Sequence, residues 1–245
     1  MSRHVAVVEP GTLRIEQRTR IARAEIGTDV SGPACVYAQV RVARGRVAYL
    51  HGDTRVVAPS RFAVLLPPFV VVQAVLERCD ATSTTLVFVP PPSLALPPVA
   101  LLLPETPDMP LARRAEMLER TGVVGEGIPI SRERDPSDIA LRAKTTLDTE
   151  YSTRLTIADV ARRLDVSPAR LSRTFKGAYG LPPVRYRHQI RIMDALMRLT
   201  AGAAPVDVSL DVGFEDLSRF YKVFRRMACG VPGAYRPGRS RNAKT

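Results

Sequence analysis

A chain of 245 residues, 45% of them hydrophobic and with a formal charge of +12, is long enough for one large or two ordinary domains. It has no unbroken apolar run of about 18 residues, which argues against a membrane-spanning helix, and its first residues lack a secretory signal, so a cytoplasmic chain is expected. Three cysteines (Cys35, Cys79, Cys229) with no C-x-x-C pair argue against a disulfide framework or a structural zinc site. The charge is uneven: residues 1–136 hold 16 Lys and Arg against 14 Asp and Glu, and residues 137–245 hold 20 against 10. The C-terminal excess calls for a polyanionic partner and suggests two domains with different tasks.

From 35 to 89 the chain reads as short strands: CVYAQVRVA, RVAYL, TRVVA, RFAVLL, FVVVQAVLE and TTLVFV. Turn residues separate them at Gly45, Gly52-Asp53, Pro59-Ser60, Pro67-Pro68 and Asp80, a spacing that predicts a small antiparallel sandwich or barrel within 1–110. The segment PPPSLALPPVALLLPETPDMP (90–110) reads as too broken by proline for a regular element. Next, LARRAEMLER (111–120) predicts a short helix and TGVVGEGIPISRERDP (121–136) a linker.

After 137 the periodicity is helical. TIADVARRL has Thr156 as N-cap, Asp159 three residues on, and Ile157, Val160, Ala161 and Leu164 on one face. Ser167-Pro168 then pairs a cap with a first-turn proline. The helix that follows turns Leu171, Thr174, Phe175 and Ala178 inward, and Ala169, Ser172, Arg173 and Lys176 outward. Two helices across a tight turn, the second polar and basic on its free face, suit entry into a DNA major groove. The design returns: Val208, Leu210 and Val212 lead into a turn at Gly213-Phe214. A helix follows with Phe220, Val223, Phe224 and Met227 inward, and Ser218, Tyr221, Lys222 and Arg225 outward. Between the copies, residues 182–200 carry two apolar stripes, Tyr186, Ile190, Met193 and Met197 against Ile192, Leu196 and Leu199, so this helix is expected to pack against both units. As a spacer of roughly 25 Å it would set two reading helices about one DNA turn apart. The closing PGRSRNAKT reads as a disordered basic tail, 237–245, that adds non-specific attraction.

These motifs, "LTIADVARRLDVSPARLSRTF", "RIMDAL", "DVGFEDLSRFYKVFRR" and "VPGAYR", resemble the DNA-binding domain of the AraC-type transcriptional regulators over residues 140–236. The resemblance implies a C-terminal all-α domain (137–236) of two helix-turn-helix units joined by a linker helix. It places base-reading positions at Ala169, Ser172 and Arg173 in the first unit and at Leu217, Ser218 and Lys222 in the second. Lys176, Arg187, Arg225 and Arg226 suit phosphates, which position a protein without specifying sequence. Two departures stand out: Ser209 replaces the alanine expected between packed helices, and Cys229 replaces the helix-ending glycine, with Gly230 one residue late.

The β region is similar to the all-β cupin-like domain often fused to this family, for sensing or dimerisation. The chain is thus expected to be a sequence-specific transcription regulator, an activator by the family's habit. The expected partners are double-stranded DNA, with RNA polymerase where it activates. The β domain is left open between a small-molecule effector, a protein partner and a homodimer. No cofactor, metal or membrane is expected. His51 alone cannot furnish a cupin metal set, which weighs against a metal enzyme with a DNA-binding appendage. No nucleophile has a base partner, so no catalysis is expected.

Overall fold

The computed structural model describes residues 2–51, 53–90, 96–103, 127–130, 137–228, 230–237 and 241–244. The short helix expected at 111–120, most of the 121–136 linker, and Cys229 lie outside them.

The N-terminal half, joined by a strand from the C-terminal end, forms an antiparallel sheet of ten strands among the described residues: β1 (Ser2–Glu9), β2 (Thr12–Arg20), β3 (Glu25–Val30), β4 (Cys35–His51), β5 (Thr54–Val57), β6 (Arg61–Leu66), β7 (Val71–Phe88), β8 (Leu101–Leu103), β9 (Ile128–Pro129) and β10 (Arg241–Lys244). Their order is β10-β1-β2-β7-β4-β6-β8-β9, with β3 on the first half of β7 and β5 on the end of β4. The all-β class is as expected, but the strands are not.

Gly45 and Asp80, taken for turns, lie inside two long strands. Gly45 sits between register shifts of the β4–β7 ladder with φ +85°, and a Cβ there would come within 2.3 Å of the Arg78 carbonyl oxygen. It lets β4 bend without ending. Asp80 accepts guanidinium hydrogen bonds across the sheet from Arg18 (3.0 Å) and Arg20 (3.2 Å), which hold its carboxyl below the usual range. Residues 2–30, read as no element, supply three strands; in β2 the alternation buries Leu13 and Ile15 and leaves the charged residues outside. The proline-rich segment contributes β8, whose three leucines are all buried. The tail is corrected too: Arg241–Lys244 pairs with β1. Inside the folded sheet Tyr49 and Phe62 meet edge to face at 6.0 Å, among Val64, Leu66, Val72 and Leu102.

The helices are α1 (Asp138–Glu150), α2 (Ile157–Arg163), α3 (Pro168–Tyr179), α4 (Pro183–Thr200), α5 (Pro205–Asp211) and α6 (Leu217–Ala228), closed by a 3-10 turn at Pro232–Tyr235. The two stripes of α4 do divide their neighbours. Tyr186 and Ile190 pack with Leu171 and Phe175 of the first unit, whereas Ile192, Leu196 and Leu199 pack with Phe220 and Phe224 of the second. Met193 and Met197, the other half of the first stripe, pack with the second cluster and not the first, so that stripe is shared between the units.

A third neighbour was not foreseen. Val30 and Val71 of the sheet enter the first cluster, and Leu13, Ile15 and Val87 enter the second. Gln189 on α4 also donates to the Thr28 carbonyl at 3.0 Å. The β region and the helical region therefore share their cores through α4.

Candidate nucleic-acid interface

Local chemistry sets the first unit. Thr156 caps α2 through the Asp159 amide, and Asp159 returns a hydrogen bond to the Thr156 amide, the full capping box expected of this pair. The Thr156 hydroxyl, which donates to the carboxylate at 2.6 Å, then the Thr156 amide, with help from Arg162, hold the Asp159 carboxyl down at about 2. Ser167 caps α3 through the Arg170 amide, with Pro168 in the first turn, and Gly180 ends the helix at φ +77°. Leu171, Phe175 and Tyr179 are fully buried, and Phe175 lies 5.3 Å from the ring of Tyr186 on α4. With its inner face so anchored, α3 presents Ala169, Arg173 and Lys176 to solvent, and Ser172 half-buried beside them.

The second unit repeats this with other parts. Asp216 caps α6 by accepting from the amides of Ser218 and Arg219. Phe220 and Phe224 are fully buried, and Tyr235 packs edge to face on Phe224 at 5.4 Å while its hydroxyl donates to the Ala228 carbonyl. Outward stand Ser218, Lys222, Arg225 and Leu217, the last 39% exposed; Tyr221 is half-buried against Phe220. Ser209 is buried, and its hydroxyl donates to the Val206 carbonyl at 2.7 Å, so the polar atom placed between helices is satisfied within its own helix.

Of the four residues suited to phosphates, Lys176, Arg225 and Arg226 are exposed. Arg187 is half-buried and donates to the Leu155 carbonyl, fastening the loop before α2. Burial, and then Arg219, depress its pKa.

Arg191 is a structural fastener whose role the linear pattern did not show. It donates to the carbonyls of Tyr151 (2.6 Å) and Thr153 (2.9 Å) and lies 5.4 Å over the ring of Phe214. Burial first, then Arg187 and Arg219, lower its pKa to about 10. His188 stacks on the same ring at 5.9 Å. Burial, followed by Arg219, Arg187, Arg191 and Arg226, pushes it down to about 4. It is therefore neutral near pH 7, in a positive field.

Between the sheet and the helices lies a half-open cavity of about 980 Å³. One wall is the sheet's inner face, with Val36, Val64, Val72 and Tyr49. The other is α4 with the end of α6, including Arg185, His188 and Arg226. Nothing in the linear pattern pointed to it, because its wall on α4 mixes stripe residues (Ile192, Met193, Leu196) with the polar Arg185, His188 and Gln189. Among the described residues no group of three His, Cys, Asp or Glu side chains could hold a metal ion, and no helix is long and apolar enough to cross a membrane.

Residues 160–238 match the family model for a helix-turn-helix domain. The chain is 28% identical over 125 residues to the arabinose operon regulatory protein of Salmonella typhimurium, covering 50% of this chain and 43% of that protein. It is 34% identical over 83 residues to the protein of the same name from Escherichia coli K12, covering 34% and 28%. The chain thus spans less than half the length of these relatives. Among solved structures, the C-terminal domain of AraT, a response regulator from Geobacillus stearothermophilus, is 28% identical and covers 45% of this chain and 93% of its own, with a TM-score of 0.40. The helical region thus carries a helix-turn-helix domain similar in sequence to that of the arabinose operon regulatory proteins.

Proposed function

We propose that this chain is a sequence-specific transcription regulator that reads two successive major grooves with α3 and α6. The observation that carries the reading is that both helices are anchored on the same linker helix by buried aromatic residues and leave a polar, basic face free. Arg173 can meet a guanine edge bidentately, and Lys222 can reach base edges from the second unit. Ala169, Ser172, Leu217 and Ser218 complete the two faces. Lys176 and Arg225 take phosphates.

Binding measured by fluorescence anisotropy on a selected DNA site and its single-base variants, across a salt series, tests this. Arg173→Ala should cost about 1–3 kcal/mol and relax preference at one base pair. Lys176→Ala should weaken all sites alike and lower the salt slope by about one unit. An Arg173→Ala protein with unchanged site preference would overturn the assignment of the reading face.

A second reading concerns control. A cavity of about 980 Å³ walled by both the sheet and α4 favours a small-molecule effector for the β region. Activation through RNA polymerase, a protein partner for the β region, and a homodimer rest on the family resemblance alone. Transcription in vitro with purified polymerase, and sedimentation of the free protein, address the first and the last.

A further inference from the structure

We infer that the cleft at the bend of the β4–β7 ladder is a binding site for a phosphate monoester carried on a small polar body. The cleft shares no residue with the cavity beneath α4 or with the outward faces of α3 and α6.

This cleft, of about 550 Å³ and open to solvent, brings together Arg23 from the β2–β3 connection, Arg46 of β4, and Glu77 and Arg78 of β7. The three arginines are exposed, and their guanidinium groups form no hydrogen bond or ion pair among the described residues. Glu77 is already engaged by Arg55 of β5 at 2.8 Å. Three unpartnered positive charges therefore surround one neutralised carboxylate and repel one another. A concave surface of a single sign concentrates ions of the other.

The backbone is bent to make this mouth. Arg78 stands at φ +45°, a region that few residues other than glycine enter. Across the ladder Gly45 lies at φ +85°, where a Cβ would come within 2.3 Å of the carbonyl oxygens of both Glu77 and Arg78. Register shifts on either side of Arg44 mark the bulge that aims Arg46 and Arg78 into one cleft.

Charge and geometry then select the ligand. A phosphate monoester carries a charge of about −1.5 to −2 at pH 7 and offers three acceptor oxygens, enough for one guanidinium fork each. A carboxylate has two oxygens in one plane, and a phosphodiester such as the DNA backbone keeps two free oxygens and a single charge, so either leaves one arginine unmatched. The remaining lining is Ala22, Ala24 and Gly45, with no ring on which a base could stack and no side chain larger than a methyl to receive an alkyl body.

The test titrates four probes into the whole chain by calorimetry, in phosphate-free buffer of fixed ionic strength, with thermal melting in parallel: glycerol 3-phosphate, inorganic phosphate, glycerate and dimethyl phosphate. Glycerol 3-phosphate should bind and raise the melting temperature. Inorganic phosphate should bind more weakly, and glycerate and dimethyl phosphate about tenfold or more weakly. Arg23→Gln, Arg46→Gln and Arg78→Gly should each weaken glycerol 3-phosphate about tenfold or more. Melting without ligand checks the fold of each variant, and glycine at 78 suits the positive φ. Arg61→Gln, an exposed arginine outside the cleft, should bind like the parent.

Equal affinity for glycerate or dimethyl phosphate would overturn the match to three oxygens, and binding unchanged in the three cleft variants would overturn the location. Inorganic phosphate that binds as tightly as glycerol 3-phosphate would overturn the polar body and leave a site for the free ion. If no probe binds, the phosphate assignment fails; weaker binding of unrelated DNA by the same variants would then give these arginines to the DNA backbone.

Discussion

The two helix-turn-helix units share one architecture but build it with different chemistry, and the differences concentrate at the turn. Ahead of it the copies are 48 residues apart, with Ala161 facing Ser209 and Asp165 facing Gly213; beyond it they are 49 apart, Ser167 facing Asp216 and Phe175 facing Phe224. The second turn is thus one residue longer. Both place a residue at positive φ, but the first uses Asp165 at +54° and the second Gly213 at +90°. A side chain that tolerates the left-handed region suffices in the first turn. In the second, the backbone comes so close to the loop after α1 that a Cβ would lie 2.3 Å from the Ser152 carbonyl oxygen, and only glycine fits. The turn of the first unit is therefore self-contained, while the turn of the second is built against its neighbour.

Removing the aromatic anchors tests how far the units are independent. Phe175→Ala and Phe224→Ala each empty a fully buried site and should cost about 3–5 kcal/mol in urea unfolding. Under milder conditions, a DNA footprint of Phe224→Ala should shrink to the half-site read by α3. A footprint lost from both half-sites at once would mean that the shared helix α4 makes the units one cooperative block.

Gly213→Ala should come next. Positive φ and the clash with Ser152 together should cost about 2–3 kcal/mol by the same measurement. Asp165→Ala lacks the clash and should cost less, so equal losses would break the contrast drawn between the turns.

The second unit also carries the pH sensitivity, through His188 stacked on Phe214 in its turn. Unfolded, this histidine titrates near 6.5; in the fold it is held to about 4 by burial and then by the surrounding arginines. Below pH 6.5 the unfolded chain takes up a proton that the fold refuses. Stability is thus fully present above pH 6.5 and falls as pH drops from there towards 4. Urea unfolding across that window should show the slope, and His188→Gln should flatten it.

What could be read from the chain alone follows the range of the interactions. The capping box of Thr156 and Asp159, the Ser167-Pro168 start and the stop at Gly180 involve residues at most four apart, so their spacing already specifies the helices. The sheet depends on partners such as Arg18 and Asp80, 62 residues apart, which no local pattern links; Asp80 consequently looks like a turn. Gly45 misleads in the same way, because a glycine that bends a strand and one that ends it look alike in sequence. The stripes of α4 disclosed two neighbours because those contacts are apolar. The third, the sheet, also meets α4 at Gln189, on a flank with Arg185 and His188 that reads as solvent-facing.

The smallest effect concerns Ser209, where the second unit departs from the alanine of the first. A buried hydroxyl between helices destabilises when it lacks a partner, but this one donates to the Val206 carbonyl one turn earlier at 2.7 Å. Ser209→Ala removes donor and demand together and leaves that carbonyl an acceptor in the first turn of its helix. The change in unfolding free energy should stay within about 0.5 kcal/mol, and DNA affinity should not move. A gain well beyond that would show that the hydroxyl strains the α5–α6 contact, making the second unit the weaker reader for a reason of packing. With no gain, the asymmetry between the units rests on the turn at Gly213.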